Sequence, residues 1–303
     1  MLAKLGIAPI AWTNDDLPEL GGDTPLETCL REARTAGFIG VETGGKFPRN
    51  AKTLKRILSS HDIGICGGWY SGTLLDNDLD SEKDRIAEQL ELFKAVNAPC
   101  LVYGETSGTI QGERKTPLDR RRRLDEDQIR EYGGRLTLLA EWCADDGMPI
   151  AYHHHMGAPI ESERDLDLLM AHSGATLPLL YDPGHMAFAG GDVFRVIANH
   201  GPRISHFHAK DVRADVIAGL DRARESFLDA VLKGAFTVPG DGSLDFGELV
   251  RRMADVGYEG WFVVEAEQDP ALAPPYEFAC IGYAELSRVL VDAGYKIADA
   301  PDP

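Results

Sequence analysis

The segment Ile204-Ser-His-Phe-His-Ala-Lys-Asp211 is a short, largely apolar run that ends in ionisable residues. Seven other segments have the same form, and amphipathic segments of helical period separate them. The eight runs cover residues 5–12, 38–42, 63–69, 100–104, 148–153, 177–182, 204–208 and 261–265. Alternating buried strands and helices are typical of a parallel sheet. Eight such units in 303 residues favour closure into one α/β domain, a (β/α)8 TIM barrel over residues 1–303.

Local signals at the helix ends agree with this pattern. Thr24-Pro25-Leu26-Glu27 has the form of a capping box with proline at the first helical position, and Gly37 is a stop signal. Apolar residues at helical spacing predict further outer helices over residues 81–95 and 129–144.

Two connections are longer than a barrel requires. They follow strands 4 and 7, run over residues 105–127 and 211–245, and the second predicts an extra helix near residues 221–233. Insertions on this face of a barrel usually form a substrate pocket or a lid, and contacts between subunits of a homo-oligomer are the alternative. The run Arg120–Arg123 in the first connection is expected to be solvated or salt-bridged surface.

Composition narrows the classes of partner. With 31 Lys and Arg against 49 Asp and Glu, the net charge is −18, which disfavours nucleic acid and anionic membranes. No apolar run approaches the roughly 18 residues of a membrane span. The five cysteines are odd in number and widely spaced, which favours buried thiols in a reducing cytoplasm over disulfides or a zinc ribbon.

Ionisable residues collect where the predicted strands end. They are Glu42, Glu105, His153, His154, His155, Asp182, His185, His206, His208, Lys210, Asp211, Glu265 and Glu267. Imidazoles and carboxylates that converge from neighbouring strands suit a divalent ion such as Mn²⁺, Co²⁺ or Zn²⁺. Because side chains alternate along a strand, His153 and His155 share one face and His154 is expected to point away from the barrel interior.

Longer motifs around these residues carry a family resemblance. Gly6-Ile-Ala-Pro-Ile-Ala-Trp-Thr-Asn-Asp-Asp16 and Tyr152-His-His-His-Met-Gly157 are the most specific, and others lie at residues 40–44, 109–112, 181–185, 206–212, 238–242 and 264–270. Together they resemble the inosose dehydratases of the xylose-isomerase-like barrel superfamily.

The resemblance implies a metal centre. Carried over by motif, the ligands are His153, Asp182, His208 and Glu265, with Mn²⁺ or Co²⁺ expected and Mg²⁺ or Zn²⁺ as alternatives. Isomerases and epimerases of the superfamily have Glu at the first of these positions, so His155 or a water molecule is the alternative ligand there. Glutathione is implied as a cofactor by the resemblance alone.

The resemblance also implies the reaction, loss of water from 2-keto-myo-inositol in myo-inositol catabolism. An elimination needs one base and one acid, for which Glu265 or Glu267 and His153 or His185 are the candidates. The expected substrate contacts are Trp12, Glu42, Trp69, Glu105, His155, His206, Lys210 and Asp211. For the two tryptophans barrel packing is the alternative role, and for Lys210 and Asp211 it is a structural ion pair.

Three other functions compete with a dehydratase. A keto-sugar isomerase or epimerase would use the same metal site, but His153 removes the two-carboxylate symmetry that epimerisation uses. The phosphodiester-cleaving branch of the superfamily is disfavoured by the acidic charge. A catalytically inert sugar-binding barrel would not need acid and base groups beside the ligands, and fold alone does not separate it from an enzyme.

Overall fold

A computed structural model describes residues 1–301 of the chain. Its strands are β1 (Leu2–Ile7), β2 (Gly40–Thr43), β3 (Gly64–Gly72), β4 (Leu101–Glu105), β5 (Ile150–His153), β6 (Leu179–Tyr181), β7 (Ile204–Ala209), β8 (Asp211–Val212), β9 (Phe236–Thr237), β10 (Gly260–Val264) and β11 (Lys296–Ile297). Its α-helices are α1 (Leu26–Ala36), α2 (Ala51–His61), α3 (Leu79–Ala95), α4 (Glu126–Asp145), α5 (Glu163–His172), α6 (Pro183–Phe188), α7 (Val193–His200), α8 (Ala214–Ala218), α9 (Phe227–Leu232), α10 (Phe246–Asp255) and α11 (Pro275–Asp292).

Strands β1 to β7 and β10 form the predicted closed barrel. Each strand pairs in parallel with the next, and β10 pairs with β1 from Ala3 opposite Gly260 to Ile7 opposite Val264, which closes the sheet. The fold prediction is therefore confirmed. The first strand ends earlier than predicted, because a 3-10 helix at Pro9–Ala11 follows and Pro9 has no N–H for the ladder.

The helix signals are confirmed at most ends. Gly37 ends α1 in the left-handed conformation with φ of 117°. At the other end the predicted capping box is wrong, because Pro25 is the N-cap residue and no side chain caps the helix. Helices α3 and α4 are longer than predicted, since Asp78 and Asp125 cap them one turn earlier.

The barrel interior below the strand ends is apolar. Trp261 and Cys66 fill its lower part, where Gly6 and Gly40 leave the space that these side chains need. A Cβ atom at Gly6 would lie 2.6 Å from the sulfur of Cys66, and one at Gly40 would lie 2.4 Å from the Trp261 ring. A second apolar cluster consists of Cys100, Val102, Ala151 and Leu180. These two clusters therefore form an apolar core below the C-terminal ends of the strands.

The two long connections cover part of that end. In the second, β8 pairs antiparallel with β9, and α9 replaces the longer predicted helix because Ser226 caps it with a capping box. Phe227 and Phe236 of this connection pack in one apolar cluster with Leu118 of the first connection and Leu17 of the β1–α1 loop. The connections thus build an apolar roof beside the strand ends.

Arg121 ties the first connection to the barrel. Its side chain is buried, its Nη2 lies 2.7 Å from Asp165 Oδ2, and its Nε lies 3.1 Å from Glu161 Oε1. Within the run Arg120–Arg123 this arginine is therefore salt-bridged as expected, but in the interior rather than on the surface.

In the described part of the chain, no helix is both long and apolar enough to span a membrane. All five cysteines are free thiols.

Replacing Arg121 tests this buried ion pair. Arg121→Met leaves two buried carboxylates without their cation, so we expect the free energy of unfolding to fall by about 3–5 kcal/mol. Chemical denaturation followed by circular dichroism measures the change. Arg130→Met is the matched control, because Arg130 pairs only with exposed carboxylates on its own helix. Equal losses in the two variants would contradict the assignment.

Candidate metal centre and active site

A cavity of about 120 Å³ lies at the C-terminal ends of the strands. The residues expected to act in the site that line it are Glu42, Trp69, His153, His155, His208, Glu265 and Glu267. Strands β2, β3, β5, β7 and the end of β10 therefore contribute side chains to one space.

Three residues bring ligand atoms together beside this cavity, and two of them, His153 and His208, line it. His153, Asp182 and His208 each place one donor atom within 4.8 Å of the others. Asp182 Oδ2 lies 3.8 Å from His153 Nε2 and 3.7 Å from His208 Nδ1. These distances are too long for hydrogen bonds. They match the separation of roughly 3 to 4 Å between atoms that bind one ion at about 2.0–2.2 Å.

The local fold leaves Asp182 free to act as a ligand. Asp182 is the N-cap residue of α6, and its Oδ1 accepts a hydrogen bond from the backbone N–H of His185 at 2.9 Å. Its Oδ2 is buried with no hydrogen-bond partner, as is the Nδ1 atom of His208. Buried polar atoms without partners are costly, and a bound cation would satisfy both. The residues present therefore fit a divalent metal ion.

Hydrogen bonds on the outer side of each imidazole favour the same arrangement. His208 Nε2 lies 2.9 Å from Glu42 Oε1, and His153 Nδ1 contacts the backbone oxygen of His154. Both oxygens are acceptors, so they favour protons on these two nitrogens. The opposite nitrogens then direct lone pairs toward Asp182 Oδ2, as in metal sites where a carboxylate or carbonyl orients the histidine ligand.

The charges of Glu42 and His208 stabilise each other. Burial alone would raise the pKa of Glu42, but the charge of His208 and hydrogen bonds from His206 and His208 hold it well below its usual range. Burial likewise opposes a charge on His208, yet Glu42 and Asp182 raise its pKa to about 10. In the metal-free protein, a proton on His208 is therefore the alternative to a metal ion beside Asp182.

Lys210 is a buried cation next to this centre. Its side chain is 0% exposed, and its Nζ lies 2.6 Å from Glu265 Oε2 and 2.8 Å from Glu267 Oε1. Burial would lower the pKa of Lys210, but Glu265, Glu267 and Asp182 raise it above its ordinary value. Glu265, the fourth ligand implied by the resemblance, is paired with this ammonium and lies outside the group of three converging donors.

A second group of possible ligands consists of His155, His185 and Glu267. The Lys210 ammonium lies 2.8 Å from both His185 Nε2 and Glu267 Oε1. This ammonium therefore already supplies the positive charge that a metal ion would bring to this group. Its histidines also pack against the rings of Phe227 and Phe236 in the roof. The alternative strand 5 ligand, His155, thus faces the lysine, whereas His153 faces Asp182 and His208.

Glu267 combines burial with one free carboxylate oxygen. Burial raises its pKa to about 7; the Lys210 charge opposes this rise and the Glu265 charge adds to it. Its Oε2 atom is buried without a hydrogen-bond partner. A carboxylate of this kind can accept a proton near neutral pH.

Several residues expected to act in the site do not line the cavity. Trp12 donates from Nε1 to Glu32 Oε2 at 2.6 Å. Glu105 accepts from the backbone N–H groups of Leu75 and Ser107. The residues of this kind that are absent from the cavity lining are Trp12, Glu105, Asp182, His185, His206, Lys210 and Asp211.

Local contacts explain the positions of Asp211, His206 and also His154, which was expected to point away from the barrel interior. Asp211 Oδ1 accepts hydrogen bonds from backbone N–H groups at residues 212, 243 and 244, so it holds the β8–β9 connection together. His206 Nε2 lies 3.2 Å from Glu42 Oε1, behind the cavity wall. His154 packs against the Tyr181 ring.

Five polar residues of the cavity were not expected from the strand pattern: Thr13, Asp15, Asp16, Thr43 and Gln111. Asp16 and Gln111 line the wall that loops supply, and Gln111 Nε2 donates to Asp16 Oδ2 at 3.4 Å. Both lie within segments that carry the family resemblance, 6–16 and 109–112, which was the available signal. A larger, outer cavity of about 780 Å³ shares Asp16, Gln111 and Trp69 with the inner one.

The fold and the site define a class of protein. A (β/α)8 barrel with histidine and carboxylate donors at the C-terminal strand ends has the architecture of a metal-dependent barrel enzyme. The model of the xylose isomerase-like TIM barrel family matches residues 30–296. A solved structure described as an IOLI protein with a binding zinc atom superposes with a TM-score of 0.63 and 16% identity over 96% of this chain and 97% of that one, which shows a shared fold.

Curated relatives narrow the family. The rhizopine catabolism protein MocC of Rhizobium meliloti is 46% identical over 99% of this chain and 92% of its own length. The inosose dehydratase of Geobacillus thermodenitrificans is 43% identical over 91% of this chain and 93% of its own. The chain belongs to the inosose dehydratase family of xylose isomerase-like TIM barrels.

The hydrogen bond between Glu42 and His208 is open to a direct test. Glu42→Gln removes the anion that orients the imidazole, so we expect metal affinity to fall by roughly 10–100-fold. Competition with a coloured chelator measures the affinity. Glu82→Gln is the control, because Glu82 is equally buried but bonds Thr73 and Tyr103 beside α3. Parental affinity in the Glu42 variant would contradict the role of this bond.

Proposed function

We propose that this protein is a hydro-lyase that removes water from 2-keto-myo-inositol. The observation that carries the proposal is the group of converging donor atoms, His153 Nε2, Asp182 Oδ2 and His208 Nδ1, beside a buried carboxylate with a free oxygen. The name of the inosose dehydratases, to which the chain is about 40–43% identical, supplies the substrate.

The reaction is proton abstraction next to a ketone, followed by loss of the hydroxyl on the adjacent carbon. A divalent ion held by His153, Asp182 and His208 would supply positive charge that stabilises the negative charge developing on the ketone oxygen. Glu265 is the proposed fourth ligand. Mixed nitrogen and carboxylate donors suit Mn²⁺ or Co²⁺, which we propose as the metal, and Zn²⁺ or Mg²⁺ are the alternatives. Glutathione remains a prediction with no residue assigned to it.

We assign Glu267 as the base. Lys210 holds Glu267 Oε1 at 2.8 Å, while Oε2 has no partner and the residue lines the cavity. Its pKa of about 7 matches that of an efficient base at neutral pH. Glu265, the other candidate, is kept for the metal because the family resemblance implies that role and because the charges of His208 and Asp182 act on its carboxyl group.

An absorbance assay tests this proposal. Metal-depleted protein is incubated with 2-keto-myo-inositol, and the conjugated enol of the product is followed in the ultraviolet as Mn²⁺ or Co²⁺ is added. We expect turnover that depends on the metal. Glu267→Gln should lower kcat by roughly 10²–10⁴-fold, because it removes the base, and bound metal should stay at the parental level.

Two results would contradict the proposal. Absence of the band in folded, metal-loaded protein would exclude the substrate, and interconversion of ketoses in a parallel panel would then favour the epimerase alternative. Parental turnover in Glu267→Gln would exclude Glu267 as the base while leaving the reaction in place.

A further inference from the structure

The proposed reaction needs an acid as well as a base. The departing hydroxyl is a poor leaving group, so a proton must reach its oxygen as the carbon–oxygen bond breaks. Such a group has to line the cavity, carry a transferable proton and be free of the metal centre.

The histidines first considered for this role are engaged elsewhere. His153 Nδ1 contacts the backbone oxygen of His154, and its Nε2 faces the metal centre. His185 is not among the residues that line the cavity, and its Nε2 lies 2.8 Å from the Lys210 ammonium. Lys210 itself is 0% exposed and pairs with Glu265 and Glu267. None of these side chains has a proton directed at the substrate space.

The loop wall of the cavity carries a suitable group in Asp16. This residue lines both the inner and the outer cavity and is half-buried. Its backbone is fixed by Asn14, whose Oδ1 accepts from the N–H groups of Asp16 and Leu17 at 2.9 Å each. The loop that follows β1 therefore holds the Asp16 carboxyl at one place in the cavity.

A chain of hydrogen bonds sets the direction of that carboxyl group. Thr109 Oγ1 donates to Gln111 Oε1 at 3.3 Å, which leaves the amide Nε2 of Gln111 to donate to Asp16 Oδ2 at 3.4 Å. One carboxyl oxygen is thereby held, and the other is available to the substrate. The neighbouring Asp15 also lines the cavity, but its side chain is more exposed and its Oδ2 accepts from the Gly45 backbone N–H at 2.8 Å.

Resting on the proposed function, we propose that Asp16 is the catalytic acid that protonates the departing hydroxyl. Glu267 takes the α-proton, and the electron pair of that bond forms the enolate. The enolate then expels the β-hydroxyl as its carbon–oxygen bond breaks, and the oxygen takes the Asp16 proton and leaves as water. Glu267 afterwards releases its proton to solvent and Asp16 takes one up, so the sum is loss of one water molecule.

The environment of Asp16 is consistent with a proton donor. Burial raises its pKa above the usual value, although the hydrogen bond from Gln111 and the charge of Lys210 oppose this and Asp15 adds to it. A raised pKa increases the protonated fraction that an acid requires.

Separating the two proton transfers tests the proposal. In Asp16→Asn, the base and metal centre remain, so exchange of the substrate α-hydrogen in D₂O, followed by NMR, should persist at or above the parental rate. Elimination, followed by absorbance, should fall by roughly 10²–10⁴-fold. Gln111→Leu should also lower elimination relative to exchange, but by a smaller factor, because the Asp16 carboxyl group loses the hydrogen bond from Gln111.

Asp15→Asn is the matched control, with the same change of charge one residue away, and it should change exchange and elimination by the same factor. Equal loss of both reactions in Asp16→Asn would overturn the acid assignment, and so would parental elimination. If the parental protein catalyses neither reaction, the proposed function itself fails, which is a different result. If Asp16→Asn does not fold, exchange and elimination in Gln111→Leu decide the question by the same criteria.

Discussion

The ammonium of Lys210 is the charge on which the arrangement of the active site depends. Asp182, Glu265 and Glu267 are all buried, and Lys210 Nζ lies within 3.8 Å of an oxygen of each. Burying a carboxylate without a partner costs several kcal/mol, so three of them in one apolar surrounding require a fixed cation. The Lys210 side chain is fully buried, and the Phe236 ring of the apolar roof is centred 4.6 Å from the ammonium. The lysine therefore fixes the carboxylates before any metal or substrate binds.

A second constraint is the direction of the imidazoles. Glu42 on β2 accepts from His208 Nε2, and the backbone oxygen of His154 accepts from His153 Nδ1. These two acceptors determine which nitrogen of each ring is free to bind a metal ion. Because β2 and β7 are separated by β1 and β10, whose pairing closes the sheet, the bond between Glu42 and His208 couples the metal centre to barrel closure. The site is in this sense a property of the complete barrel rather than of any βα unit.

The strand period accounts for what the sequence could predict. All eight barrel strands and the position of ionisable residues at their ends follow from apolar runs, since parallel strands end at the same face of a barrel. The period does not specify which end residues face the cavity. Glu105 and Asp211 satisfy backbone N–H groups of their own loops, and Trp12 follows a 3-10 turn that Pro9 starts. Such local bonds depend on loop conformations that composition does not encode.

The strand period also could not identify Asp16 and Gln111. Both lie on loops, where no period marks the inward face, and their meeting joins residues 95 positions apart in the chain. Family motifs at 6–16 and 109–112 contained them without indicating a role. Loop residues of a barrel are therefore better identified from the cavity that they line than from the strand pattern.

The metal centre formed by His153, Asp182 and His208 can be tested directly. Anomalous diffraction from crystals soaked in Co²⁺ or Mn²⁺ would locate the ion without reference to activity. We predict a peak at about 2.0–2.3 Å from His153 Nε2, Asp182 Oδ2 and His208 Nδ1. A peak among His155, His185 and Glu267 instead would contradict this assignment. So would the absence of any peak in crystals soaked to saturation.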